Sequence, residues 1–387
     1  VSARPLSTGL LDHSLYYPIP IGKEKKMDER ELKEYYEALQ DEPSAEELVV
    51  KGMHLVGDDE EELESERLRA QLAADGEARD GRSARFTSLL TDLIGGNKEP
   101  AARELIGLSD LSRAEASELA RAWNRIAPAR RRRMVDILTQ LEEDNVEYNF
   151  RNLYLQSITD TDPVVRRKSI EGLWEDESSE VLAAISDRTV DAKPEVRAAA
   201  AAALGRFVYR AETGKLRPSQ CEELRAALLK LAEDADQPLD VSRRALESVA
   251  YLSNDPSVTK LIAAAYADSN PRQKASAVLA MGRNLDQRWL ESVLDELASD
   301  AAEMRYEAAR ASGELGSPQA VPQLVGLIED EDSEVRLMAI WALGQIGGPT
   351  ANNALRQAAT SPDEATSAAA QEAISEARLT SDPLNPL

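Results

Sequence analysis

The sequence predicts an all-α fold, an α-solenoid of stacked helical hairpins. Three observations predict it. An arginine-type position returns every 31 residues at Arg243, Lys274, Arg305 and Arg336, and Arg166 and Arg197 stand one such step apart. Apolar residues recur at helical spacing between these positions. Pro and Gly fall at the starts and ends of the helical stretches, not around strands. A fixed period of this length marks an array in which each unit packs only on its neighbours.

The regions follow in chain order. Residues 1–26 carry Pro5, Pro18 and Pro20 with little periodicity and read as an extended tail. Residues 28–80 hold 19 acidic and six basic side chains, with short helices expected near 28–40, 44–51 and 58–74. Few large apolar residues stand there, so no stable core is expected. Residues 83–94 are more apolar, through Phe86, Leu89, Leu90, Leu93 and Ile94, and predict a helix ending at Gly95-Gly96. Residues 1–95 thus form an acidic, partly disordered region with short helices. The solenoid is placed at 98–378 and a flexible tail at 379–387.

The clearest unit runs from Ser317 to Gly347. Pro318 sits where its missing N–H costs nothing, at the start of a first helix. Val321, Leu324, Leu327 and Ile328 give that helix one apolar stripe. Glu329 to Asp332 form an acidic turn, which suits the N-terminus of the second helix. That helix carries Val335, Ala339, Ala342, Leu343 and Ile346, and Gly347-Gly348 ends it. Two further columns keep the period. Ile185, Leu231, Ile262, Val293, Leu324 and Leu355 are the first-helix core positions, and small residues at Ala203, Ala280, Ala311, Ala342 and Ala373 let second helices pack closely. Between Arg197 and Arg243 the chain is 15 residues longer than one period, which predicts a loop insertion around Tyr209–Pro218. A diverged pair of helices is expected at about 112–126 and 128–143.

Asp332-Ser333-Glu334-Val335-Arg336, followed by Ala339, Ala342, Leu343 and Gly344, resembles a HEAT repeat. So does Lys193-Pro194-Glu195-Val196-Arg197 with Ala199, Ala200, Ala203, Leu204 and Gly205. The short period resembles the compact HEAT-like repeats named after phycobilisome lyases. The resemblance implies a right-handed α-solenoid with second helices lining the concave side. It also implies a structural ladder across neighbouring repeats, made by Asp162, Arg166, Arg197, Arg243, Arg305, Asp332 and Arg336. Lys274, Ser367, Ala301 and Leu239 depart from that pattern.

Net charge is −24, which repels phosphate backbones and anionic lipid, so neither nucleic acid nor membrane insertion is expected. Cys221 is the only cysteine, which excludes an internal disulfide and fits a cytoplasmic setting. His13 and His54 are the only histidines and both precede the array, so no His-Glu metal site or Ser/His/Asp triad is expected within it. No phosphate-binding glycine fingerprint occurs. The sequence therefore predicts no catalytic residue, no cofactor and no metal.

The expected function is a non-catalytic scaffold that holds a protein partner in the concave groove. Positions one, five and nine after the repeat arginine face away from the core stripe. Among them Tyr306, Leu337 and Trp341 supply apolar contact, and Arg244, Arg283 and Arg310 supply charge. Arg167, Glu171 and Arg206 occupy equivalent positions. The acidic 28–80 segment could mask this arginine-dotted face. The resemblance leaves a bilin-lyase-like or chaperone-like role as an alternative. The Arg130-Arg131-Arg132-Arg133 run leaves nucleic-acid binding as a second.

Overall fold

A computed structural model describes residues 82–96, 100–145 and 147–381. The expected extended tail at 1–26, the short helices between 28 and 80 and residues 382–387 lie outside the described residues, whereas residues 379–381, expected in the flexible tail, continue the last helix. Contacts divide the chain into Val1–Lys98 and Glu99–Leu387. In the first unit, residues 82–95 form helix α1, with Phe86, Leu90 and Leu93 on its buried face. Among the described residues no strand occurs, and no helix is long and apolar enough to cross a membrane.

The second unit opens with a short helix, α2 (Ala102–Leu105), and continues as helical pairs. The diverged pair is present as α3 (Arg113–Trp123) and α4 (Pro128–Asp144). Next come α5 (Arg151–Ser157) with α6 (Pro163–Gly172), and α7 (Ser179–Ser186) with α8 (Pro194–Glu212). The middle of the array holds α9 (Pro218–Glu233) with α10 (Leu239–Val249), then α11 (Pro256–Tyr266) with α12 (Pro271–Asn284). It closes with α13 (Leu290–Glu296) and α14 (Ala302–Leu315), α15 (Val321–Leu327) and α16 (Ser333–Ile346), and α17 (Gly348–Ala358) and α18 (Glu364–Ser381). Starts are chemically marked: Asp162, Asp255, Asn270 and Asp332 each accept a backbone N–H from the first turn of the following helix.

The two layers pack differently. Each second helix, from α4 to α18, lies tightly against the second helices before and after it, whereas first helices scarcely meet. Side-chain size causes this. A Cβ on Gly282 would stand 2.7 Å from the Ala311 Cα, and one on Gly313 would stand 2.9 Å from the Ala342 Cα. The glycine eight residues after one repeat arginine thus faces the alanine six residues after the next. The first-helix column, from Ile185 to Leu355, is buried throughout and seals each pair.

The extra 15 residues do not form the expected loop. They lengthen the two helices on either side of one turn: second helix α8 has 19 residues against 14 in α12, α14 and α16, and first helix α9 has 16 against 11 in α11 and α17. The reason is local. Phe207 and Val208 keep the last turns of α8 buried, and Leu224 and Leu228 do the same for α9. The turn closes on Gly214 at φ 74°, with Lys215 donating its N–H to the Arg210 carbonyl, and Pro218 starts the return helix. The tip is tied to its neighbours: Arg210 pairs with Glu177 before it, and Ser253 donates to Glu212 after it.

Candidate functional site

The second helices carry two kinds of polar side chain, one joining neighbouring repeats and one at the positions expected to face outward, of which Arg310 is in fact buried, at 4% exposure. The first kind is best seen at Arg305. Its Nε and Nη2 donate to both carboxylate oxygens of Asp330 in the next repeat at 2.7 and 2.8 Å, and its Nη1 holds the Ser299 and Asp300 carbonyls. Arg166 does the same to Asp191 at 2.8 and 2.7 Å while holding the Asp160 and Thr161 carbonyls. These forked pairs hold the Asp330 carboxyl below the usual carboxylate range, and keep Asp191 low despite its burial. Both acids also accept the N–H two residues on, from Asp332 and Lys193, so one carboxylate closes its own turn and receives the preceding repeat.

The acids in these pairs lie six residues before the next arginine, in a column the sequence reading passed over. Asp162 and Asp332, four residues before, cap their helices instead, and Asp162 also binds Arg132 at 2.6 Å. Where the six-before position is not acidic, the arginine-type residue finds something else. Arg197 meets Gln237 at 2.9 Å, and Lys274 passes Ser299 for Glu296 at 2.5 Å. Arg336 only approaches Asp363, at 4.0 Å. Arg243 turns toward Ser276, 2.7 Å away, although Asp268 holds the column there. The basic run is drawn into the same work. Arg131 is buried against Asp160 at 2.8 Å and holds the Ile126 carbonyl, and Arg132 is spent on Asp162.

The second kind of side chain forms a patch on α10, α12, α14 and α16. Arg244 pairs with Glu247 at 2.9 Å, and Arg310 with Glu314 at 3.1 Å. Arg283 donates to the Glu247 carbonyl at 2.8 Å and lies over the Tyr251 ring. Burial works against the Arg310 charge, but Glu314 and Glu307 outweigh it and hold the guanidinium firmly ionised. Tyr306, Leu337 and Trp341 are half-buried, and the Trp341 ring edge lies over Gly313. On α8, Arg206 holds the Leu173 and Asp176 carbonyls, and burial pushes its guanidinium down to about 10. On α6, Arg167 pairs with Glu171 at 2.5 Å.

Glu307 is the exception. Among the described residues it has no hydrogen bond or ion pair, and one carboxylate oxygen is fully buried without a donor. Burial pushes its carboxyl up to about 7; Arg310 and Arg283 oppose the shift, while Glu247 and Glu314 add to it. A buried carboxylate oxygen without a donor is unusual in a packed layer. Sequence reasoning missed it because Glu307 lies one residue outside the columns chosen as outward-facing. Its neighbours Tyr306 and Arg310 were the available signal. Cys221 is half-buried and lies 3.9 Å from the Leu216 carbonyl, apart from this patch.

A family model described as HEAT repeats matches residues 152–230 and 290–375. These segments are HEAT repeats. Among solved structures, yeast importin-beta (Kap95p) is similar at 15% identity and a TM-score of 0.45, over 76% of this chain and 46% of that one. An engineered protein is similar at 17% identity and a TM-score of 0.35, over 75% of this chain and 88% of that one. Human deoxyhypusine hydroxylase is similar at 19% identity and a TM-score of 0.28, over 78% and 98%. No curated protein matches the chain in sequence. Among the described residues, no His/Cys/Asp/Glu group has the arrangement of a metal site.

Proposed function

We propose that this HEAT-repeat chain is a non-catalytic scaffold that holds a protein partner along its second-helix layer. One observation carries the reading. The tightly packed layer carries Tyr306, Leu337 and Trp341 half-buried, and next to Tyr306 stands the Glu307 carboxylate, one of whose oxygens is buried without a donor. We read the closely packed layer as the concave side, where a partner would contact several repeats at once. Arg244, Arg283 and Arg310 belong to the contact as its frame, because each is already engaged within the layer. Arg131 and Arg132, the core of the basic run, are likewise engaged, which favours a protein partner over nucleic acid.

The test uses the partner recovered by affinity purification of the native chain. Trp341→Ala should weaken its binding by more than about 1 kcal/mol with helicity retained. Unchanged affinity would remove Trp341 and its neighbours from the contact.

A further inference from the structure

We propose that the partner docks through a basic segment, with one lysine or arginine side chain seated on the Glu307 carboxylate beside Tyr306. This rests on the reading of the second-helix layer as the binding face and adds the chemistry of what binds there.

The first argument is donor counting. Glu307 keeps part of its surface open, yet one of its oxygens is buried with no donor, and so is one oxygen of Glu314. The Glu314 side chain is only 6% exposed, and its unpaired oxygen lies over Gly282 on α12. Buried acceptors without donors cost free energy until a donor arrives. A carboxylate held in that state gains most from a charged donor, because a charge-assisted hydrogen bond is about twice as strong as a neutral one.

The second argument is that, among the described residues, no cation lies within ion-pair distance of Glu307, although Arg310 and Arg283 act on it at longer range. Arg310 is engaged by Glu314, Arg244 by Glu247, and Arg283 by the Glu247 carbonyl and the Tyr251 ring, its Nε remaining buried without an acceptor. On α16, Glu334 adds negative charge near Tyr306. An incoming anion would meet Glu247, Glu307 and Glu314 beside arginines that are already engaged. A cation meets an acceptor without a donor next to Tyr306, which favours it. The net charge of −24 attracts a basic segment at long range and steers its approach.

The state of Glu307 gives the docking a second signature. Its carboxyl is raised to about 7 by burial, so much of it is protonated just below neutrality. A docked cation favours the ionised form and expels the proton. Binding should therefore weaken as pH falls, by about tenfold between about pH 8 and about pH 6.

The experiment selects peptides from a random dodecapeptide phage library on the immobilised full chain. Selected peptides are synthesised and measured against wild type, Glu307→Gln and Trp341→Ala, and their key arginine is exchanged for the neutral isostere citrulline. The expected result is an enriched basic position, a loss of about tenfold on citrulline exchange, and a matching loss on Glu307→Gln. The pH dependence should vanish in Glu307→Gln, whose fold is checked by circular dichroism. Peptides without an enriched basic position, or with equal affinity for Glu307→Gln, overturn the proposal. If such peptides still lose affinity on Trp341→Ala, the binding face stands and only its cationic occupant falls. If neither substitution changes affinity, the face itself is wrong.

Discussion

Two stretches of the array use the same residue column differently. At its start and toward its end, Arg166 and Arg305 each fork onto an aspartate of the next repeat and clasp two carbonyls of their own turn. In the middle, Arg197 meets an amide from Gln237, and Arg243 turns inward to Ser276. At Arg197 the receiving residue decides the role, since Gln237 stands where Asp191 and Asp330 stand elsewhere, whereas Arg243 leaves an aspartate in that column for Ser276. The middle is also where the hairpin lengthens, and there Arg210 and Ser253 supply ties that the column lacks. An intact ladder makes one strong repeated joint, and its lapse is covered by several weaker local ones.

The largest way to break this comparison is at Asp330. Asp330→Ala strands Arg305, which is 10% exposed, and should cost about 3–5 kcal/mol in denaturant titration. The same pair sets an acid limit. Its aspartate titrates below the ordinary carboxylate range, so its stabilisation is complete above about pH 4 and is lost as pH falls through the lowered value. The acid limb of a pH–stability profile should flatten in Asp330→Asn.

Glu307 tests the opposite sign. Its carboxyl titrates above the ordinary value, so the native state holds a proton that the unfolded chain releases, and stability falls as pH rises from about 4.5 to about 7. Glu307→Gln should therefore stabilise by about 2 kcal/mol at about pH 8 and by little at about pH 5. A variant less stable at both values would show that the carboxylate is supported by contacts it lacks here. The smallest effect is expected at Gln237. Gln237→Ala removes a neutral acceptor from a part-exposed arginine and should cost about 1 kcal/mol. A cost equal to that of Asp330→Ala would erase the distinction between the two stretches.

Much of the fold was legible because a solenoid repeats its packing in its sequence. The buried column from Ile185 to Leu355 and the small residues at Ala311 and Ala342 recur at a fixed step, and each does the same work each time. The hairpin of α8 and α9 was less legible. Its extra residues were counted correctly, but Phe207 and Leu224 had to be read as continuing two stripes at once. The ladder was legible on its basic side only. Asp330 and Asp332 both sit in one acidic turn, and sequence cannot say which faces the neighbour and which caps the helix. Glu307 was hidden for a similar reason: its lack of a partner depends on how Arg310, Arg283 and Arg244 choose theirs.

Neighbour-only packing has a consequence for optical measurement. The four tryptophans are spread along the array: Trp123 ends α3, Trp174 lies in the turn after α6, Trp289 just precedes α13 and Trp341 lies in α16. Trp123 and Trp289 are 2% and 8% exposed, whereas Trp174 is 54% exposed. Fluorescence therefore reads melting locally: the red shift of Trp123 dates the loss of one end, that of Trp289 the loss of the interior, and Trp174 stays nearly silent. Variants that keep a single indole would time the opening of separate stretches of the array without any added label.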